Sequence, residues 1–264
     1  MVLAGGAIET ARLLLLSASR HHPRGIGNNS DHLGRHLQSH TYPVALGILL
    51  KGVHNPNFGP GVDVATTALN HGNPGVIGGA MIANDFVKTP LTHWRIGLPP
   101  DTPRWGRPNK EAMRDFYLRT VDVRAPVQEV PTPENRVTLH PFIRDPLGLA
   151  IASLPGVVHP ETLITAELIR QRLIDWLTAS GAERTWTLPQ LNRGLSDWFH
   201  QAGTCRMSAN QGDGVVDPSG RVHGHDNLFI ADGSTNVTNG GFNPALTILA
   251  LALRTANQVV RQLH

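Results

Sequence analysis

The sequence predicts a mixed fold, α+β with an α/β component, in which a partial Rossmann-like domain is joined to an antiparallel-sheet domain with helices. Three observations predict it. Val2 to Ala4 is a short apolar strand running into Gly5-Gly6 and then into a helical apolar pattern, which is half of a nucleotide-binding βαβ unit or, on these residues alone, of any other α/β crossover. Between Tyr42 and Thr187, short β-like runs alternate with Pro and Gly at the spacing of an antiparallel sheet. Leu228-Phe-Ile-Ala231, ended by Asp232-Gly233-Ser234, reads as a buried parallel strand.

Taken in order, Ala7, Ile8, Ala11, Leu13, Leu15 and Leu16 make a buried helix to about Ser17. Gly25-Ile-Gly27-Asn-Asn-Ser30 has two of the three glycines of a G-x-G-x-x-G turn, but it follows a His/Pro/Arg loop instead of a strand and reads as a decoy. Strand-like runs follow at 43–50, 62–68, 76–83, 121–127, 136–139 and 149–154. Pro160 to Ala179 predicts an amphipathic helix with Leu163, Ala166, Ile169, Leu173 and Leu177 on one face, and Gly181 to end it. Ala245 to Leu263 predicts a last, apolar helix, capped by Asn243 with Pro244 at its first position. Trp94, Trp105, Trp176, Trp186 and Trp198 are read as core or rim, since large aromatics are mostly used that way.

Composition narrows the function classes. A chain of 264 residues with 40% hydrophobic content can bury a sizeable core, and 27 Gly and 20 Pro make it rich in loops. The formal charge is +3 with scattered basic residues, so the pI near 9.5 does not argue for a nucleic-acid partner. Fourteen histidines occur without H-E-x-x-H or Cys/His ligand spacing, so no metal is expected. Cys205 is the single cysteine and excludes an intrachain disulfide framework. The longest apolar runs, Leu13 to Leu16 and Ala245 to Leu253 broken by Thr247, fall short of the ~20 residues of a membrane span. The start shows no signal-peptide pattern; the chain is expected to be soluble, cytoplasmic by default, with any export signal upstream.

The motifs that restrict the chemistry lie near the C-terminus. His200-Gln-Ala-Gly-Thr-Cys-Arg-Met207 is followed by V-V-D at 215–217, R-V-H-G at 221–224, N-L-F-I-A-D-G-S at 227–234 and G-G-F-N-P-A-L-T-I at 240–248. In this order and spacing the blocks resemble the C-terminal part of the glucose-methanol-choline (GMC) family of FAD-dependent oxidoreductases. Residues 2–17 and Gly34-Arg-His-Leu-Gln-Ser-His40 look like that family's second signature and its G-x-x-L-x-D-H block, with Ser39 where the family usually has Asp.

The resemblance implies FAD as cofactor, a hydroxyl-bearing substrate, and a chain that lacks the family's N-terminal βαβ unit. It places an FAD-binding portion at 1–40 and 197–264 and a substrate domain at 41–196. His200 and Asn243 fall on the family's catalytic pair: the imidazole would accept the hydroxyl proton and the carboxamide would anchor the oxygen. Gly5, Gly6, Asp232, Gly233, Asn243, Pro244 and Ala245 would contact FAD. From the residues alone, Asp232-Gly233 is also an ordinary turn and Asn243-Pro244 an ordinary helix start. Cys205 and Arg206 are read as loop packing and anchoring. The expected function is oxidation of an alcohol group in a sugar, polyol or small alcohol, with an electron-acceptor partner or a missing N-terminal segment as further partners. The alternatives are a truncated or split flavoprotein without independent activity, and a nicotinamide-dependent enzyme, for which the dinucleotide fingerprint is missing.

Overall fold

The computed structural model describes residues 1–51, 55, 58–85, 88–154, 156–189 and 199–263. Trp198 and the expected boundary at 196/197 lie outside the described residues. In chain order the elements used below are β1 (Val2–Leu3), α1 (Gly6–Leu16), β2 (Val44–Leu49), β3 (Ala65–Thr66), β4 (Ile82–Asn84), α2 (Gly106–Phe116), β5 (Thr120–Arg124), β6 (Thr138–Arg144), β7 (Ala150–Ser153), α3 (Pro160–Ala179), β8 (Ala182–Thr187), β9 (Phe229–Ile230) and α4 (Ala245–Leu263).

The chain divides into two compact units, one made of Met1–His40, Gln128–Pro160 and Asn192–His264, the other of Thr41–Val127 and Glu161–Leu191. The expected break after residue 40 is there, but residues 128–160 go with the first unit instead of with 41–127. The cause is local pairing. Leu37 N–H donates to the Asn135 carbonyl at 2.8 Å, Val137 N–H donates to the Gly34 carbonyl at 2.8 Å, and Val137 packs in the same core as Leu33 and Leu37.

In the first unit β1 and β9 pair in parallel, Val2 opposite Phe229 and Leu3 opposite Ile230. α1 buries Ala7, Thr10, Ala11 and Leu14, whose i, i+4, i+7 spacing puts Ala7, Ala11 and Leu14 on one face. Leu13, expected inside, is 49% exposed because it falls off that stripe. Ile26 N–H donates to the Leu14 carbonyl at 3.0 Å, so the Gly25–Gly27 run closes off the end of α1, a structural use that fits the reading as a decoy. Cys205 is fully buried in this core, and burial pushes its thiol up to about 12.

In the second unit the sheet order is β8-β2-β5-β4-β3, all antiparallel. α3 lies on one face of it, where Ala166, Ile169, Leu173 and Leu177 pack with Ala45, Ile82 and Val123. The fifth expected contact, Leu163, is 42% exposed, while Thr162 and Thr165 take the buried places in the first turns. Leu46, Ile48 and Trp186 form a smaller apolar cluster; neighbours on this face through the strand pairing carry an ion network, with Asp122 bound to Lys88 at 3.5 Å and to Arg124 at 2.9 Å. Of the tryptophans, Trp186 is buried and Trp105 exposed.

α4 has the expected bounds, but Pro244 supplies the carbonyl for its first bond, from Ile248 N–H at 2.9 Å. Pro244 therefore stands at the cap and Asn243 just before it, one place earlier than the sequence suggests. No helix among the described residues is long and apolar enough to cross a membrane, and no cluster among them could hold a metal ion.

Candidate functional site

Two groups of residues from the first unit meet at Gly233. The first is built around Asp232 at the carboxyl end of β9, the place where open α/β sheets take ligands. Its carboxylate accepts Gly6 N–H at 3.0 Å and Thr10 O–H at 2.6 Å on one oxygen, and Ser234 N–H at 2.8 Å on the other. Gly5 N–H in turn donates to Thr10 Oγ at 3.0 Å. Asp232 thus caps the helical turn Gly233–Thr235 and holds the amino end of α1, where a negative charge is favoured. A carboxylate can accept about four hydrogen bonds, so three internal donors leave room for about one more. Thr10 went unnoticed in the sequence because a threonine inside a helix has no distinguishing pattern.

The second group is the loop from His200. A Cβ on Gly203, whose φ is +91°, would lie 2.3 Å from the His36 carbonyl oxygen, so only glycine lets this loop lie down on residues 36–38. Gln38 and Ala202 exchange backbone bonds at 3.1 and 2.9 Å, and Ser39 Oγ–H donates to the Phe199 carbonyl at 2.9 Å. The structure gives Ser39 a role that Asp could not fill: its hydroxyl donates to a carbonyl oxygen, whereas a carboxylate can only accept, and its N–H donates to the Glu129 carboxylate at 2.9 Å. Cys205 N–H donates to Ser234 O at 2.8 Å, and the Arg206 carbonyl accepts Val215 N–H at 3.0 Å, in keeping with their reading as packing and anchoring residues.

His200 itself has φ +62°, the left-handed region that a non-glycine residue occupies at a cost of order 1–3 kcal/mol. Its ring meets His40, with the two Nδ1 atoms 2.9 Å apart and the rings edge to face. His40 is fully buried, and its Nε2 lies 2.9 Å from the Gly240 carbonyl oxygen. Burial pulls the His40 pKa down to about 4, and burial also lowers that of His200, so both rings are neutral at neutral pH.

The loop before α4 is fastened to the same segment. Gln38 Oε1 accepts Asn239 N–H at 2.9 Å, and its amide donates to the Val237 carbonyl at 3.2 Å. The buried Asn239 amide donates to the His200 carbonyl. The His200 loop and the loop that leads to Asn243 are therefore joined through Gln38, His40 and Asn239, three residues that the sequence did not single out. The Gly34–His40 block was the only signal for two of them. Asn243 is exposed, Pro244 is buried and Ala245 opens the helix. Gly233 sits where the two groups touch: a Cβ on it would lie 3.1 Å from the Gln201 carbonyl oxygen and 3.2 Å from Ile248 Cδ1. The buried side-chain oxygens of Asn236 and Asn239 have no hydrogen-bond partner, which in a native site asks for a ligand or water.

Comparison with known proteins gives this geometry a context. Residues 131–252 match the family model described as GMC oxidoreductase. The fructose dehydrogenase large subunit of Gluconobacter japonicus is 29% identical over 264 residues, which is 99% of this chain and 47% of that protein. The 2-methyl-1,2-propanediol dehydrogenase of Mycolicibacterium austroafricanum is 26% identical over 99% of this chain and 48% of its own length. The 6'''-hydroxyparomomycin C oxidase of Streptomyces lividus is 30% identical over 99% and 45%. Among solved structures, formate oxidase of Aspergillus oryzae superposes with a TM-score of 0.64 at 18% identity, covering 98% of this chain and 53% of that one, which is a likeness of fold. The chain spans about half the length of the relatives it matches.

Proposed function

Because the chain belongs to the GMC oxidoreductase family, we propose that it carries the proton-accepting and oxygen-holding residues of an FAD-dependent enzyme that oxidises an alcohol group of a sugar, polyol or small alcohol. Bound FAD would supply the acceptor for the two electrons and the hydrogen that leave the carbinol carbon. The observation that carries the reading is His200: a half-buried imidazole, kept neutral by burial and held in a costly backbone conformation. A neutral imidazole can take the hydroxyl proton at neutral pH. Asn243, from the loop tied to His200, would donate its amide N–H to the same oxygen.

The residues present fit the cofactor. The orphaned oxygens of Asn236 and Asn239 are acceptors suited to ring N–H or ribityl hydroxyl donors. The first bond of α4 reaches Ile248, which leaves the N–H groups of Ala245, Leu246 and Thr247 without acceptors inside the helix. Negative charge that develops beside them would be stabilised. Gly5, Gly6, Asp232, Gly233, Asn243, Pro244 and Ala245 are the residues proposed to hold FAD, Asp232 through its remaining acceptor position. Residues 41–127 and 161–191 are proposed as the substrate-binding unit. The names of the relatives, a fructose, a diol and an aminoglycoside enzyme, support a polyhydroxylated substrate.

His200→Ala in the FAD-loaded enzyme should slow the reductive half-reaction about 100-fold or more, read by stopped-flow bleaching of the flavin. A loss below about tenfold removes His200 as the base. A second reading, a portion of a flavoprotein that does not hold FAD unaided, is favoured by the exposed leucines of α4, Leu246 at 80% and Leu249 at 66%. The absorbance of the purified chain after addition of FAD separates the two: yellow protein supports the first, colourless protein the second.

A further inference from the structure

We propose that His40 is a positioning residue that fixes the tautomer of His200, so that the Nε2 atom of His200 is the one that takes the substrate proton. The inference rests on the reading of His200 as the base, and it extends that reading from a residue to an atom. The argument starts at Gly240, whose carbonyl oxygen can only accept. At 2.9 Å from it, His40 Nε2 must therefore carry the hydrogen and donate. His40 is fully buried and neutral at neutral pH, so its Nδ1 carries a lone pair and accepts. The atom 2.9 Å from that lone pair is His200 Nδ1, which must then be the donor. A neutral His200 with hydrogen on Nδ1 has its lone pair on Nε2. One carbonyl thus sets the polarity of the whole chain Gly240 O, His40, His200.

The same relay steadies the protonated state. When His200 gains a proton on Nε2, its Nδ1–H bond to His40 becomes charge-assisted and strengthens, with no second proton transfer required. Asn239 and Gln38 hold the backbone at both ends of the relay in register: the Asn239 amide binds the His200 carbonyl, and Gln38 binds Asn239 N–H.

The test is a long-range 1H–15N correlation on the chain labelled at histidine, at neutral pH, with His40→Leu, His40→Asn and His200→Ala used for assignment. The expected spectrum shows His200 protonated on Nδ1 and His40 on Nε2. In His40→Leu the His200 pattern should invert towards Nε2–H, and in His40→Asn, whose side-chain oxygen can accept in place of Nδ1, the Nδ1–H pattern should return. Wild-type His200 protonated on Nε2 overturns the proposal, whatever the variants do. An unchanged His200 pattern in a folded His40→Leu protein overturns it as well. In the FAD-loaded enzyme His40→Leu should lower kcat by about 10-fold to 100-fold with little change in KM, and His40→Asn should recover part of it. The two readings fail separately. An Nδ1–H His200 in an enzyme that keeps its rate after His200→Ala supports the relay and removes the base, whereas an Nε2–H His200 in an enzyme that loses its rate removes the relay alone.

Discussion

Two helices of similar length, α3 with 20 residues and α4 with 19, meet opposite fates. α3 buries Ile169 and Leu173 completely and Leu177 to 2% exposure against its sheet. α4 buries Thr255 but leaves Leu246, Leu249, Leu253 and Leu263 at 64–80% exposure. The difference teaches that an apolar stripe fixes where a helix forms and which way it faces, while its stabilisation comes from the surface it meets. The unfolded chain pays the same backbone entropy for both. For α3 burial of its leucines and isoleucine repays it, at about 1.5–3 kcal/mol per side chain.

The largest effect expected of a single substitution follows directly. Leu173→Ala should lower the stability of the chain by about 2–5 kcal/mol in urea unfolding, since it opens a cavity under α3. Leu249→Ala, on the exposed side of α4, should change it by no more than about 0.5 kcal/mol. An equal loss at both positions breaks the comparison, because it would mean that α4 is covered in solution. Gel filtration of the same samples would then show an assembled species.

Acid sharpens the comparison from a different side, because each unit buries histidines that burial lowers to about 4: His36 and His40 in one, His93 in the other. The unfolded chain takes up these protons near pH 6.5, before the folded chain does, so their stabilisation is complete above that pH and is lost as the pH falls towards 4. Each buried histidine should cost about 1.4 kcal/mol per pH unit in this window. Unfolding midpoints that stay level between about pH 6.5 and 4 would show that these rings are charged in the folded protein. A smaller effect is expected for Ser39→Asp, which removes the hydroxyl donor to Phe199 O and sets a carboxylate against that carbonyl oxygen. About 1–3 kcal/mol should be lost, and Ser39→Asn should lose less.

The bounds of α3 and α4 and the parallel pairing of the Leu228–Ala231 run were legible because each rests on a local apolar period or run. Leu163 was misplaced because a stripe drawn from hydrophobicity alone does not know which threonines the sheet will cover. α2, Gly106–Phe116, was missed: it buries only Asn109, and its helically spaced Ala112, Met113 and Phe116 are too few among polar residues to stand out in a segment rich in Pro and Gly. At the site, His200 and the Asp232 turn stood out as motifs. His40, Thr10 and Asn239 did not, since their roles come from hydrogen bonds between residues 39 to 222 positions apart. Whether Asp232 also serves a cofactor is a question the turn motif alone could not decide, because the fold already uses its carboxylate three times.

The left-handed backbone at His200 sets scaffold and chemistry against each other. Alanine there inherits the same torsional penalty, so His200→Ala leaves the backbone strain where it was. Glycine relieves it, and His200→Gly should therefore be more stable than His200→Ala by about 1 kcal/mol, since both lose the bond to His40 and only glycine is free of the strained φ. The gap between those two variants measures what the backbone gives up to hold an imidazole at this place in the loop.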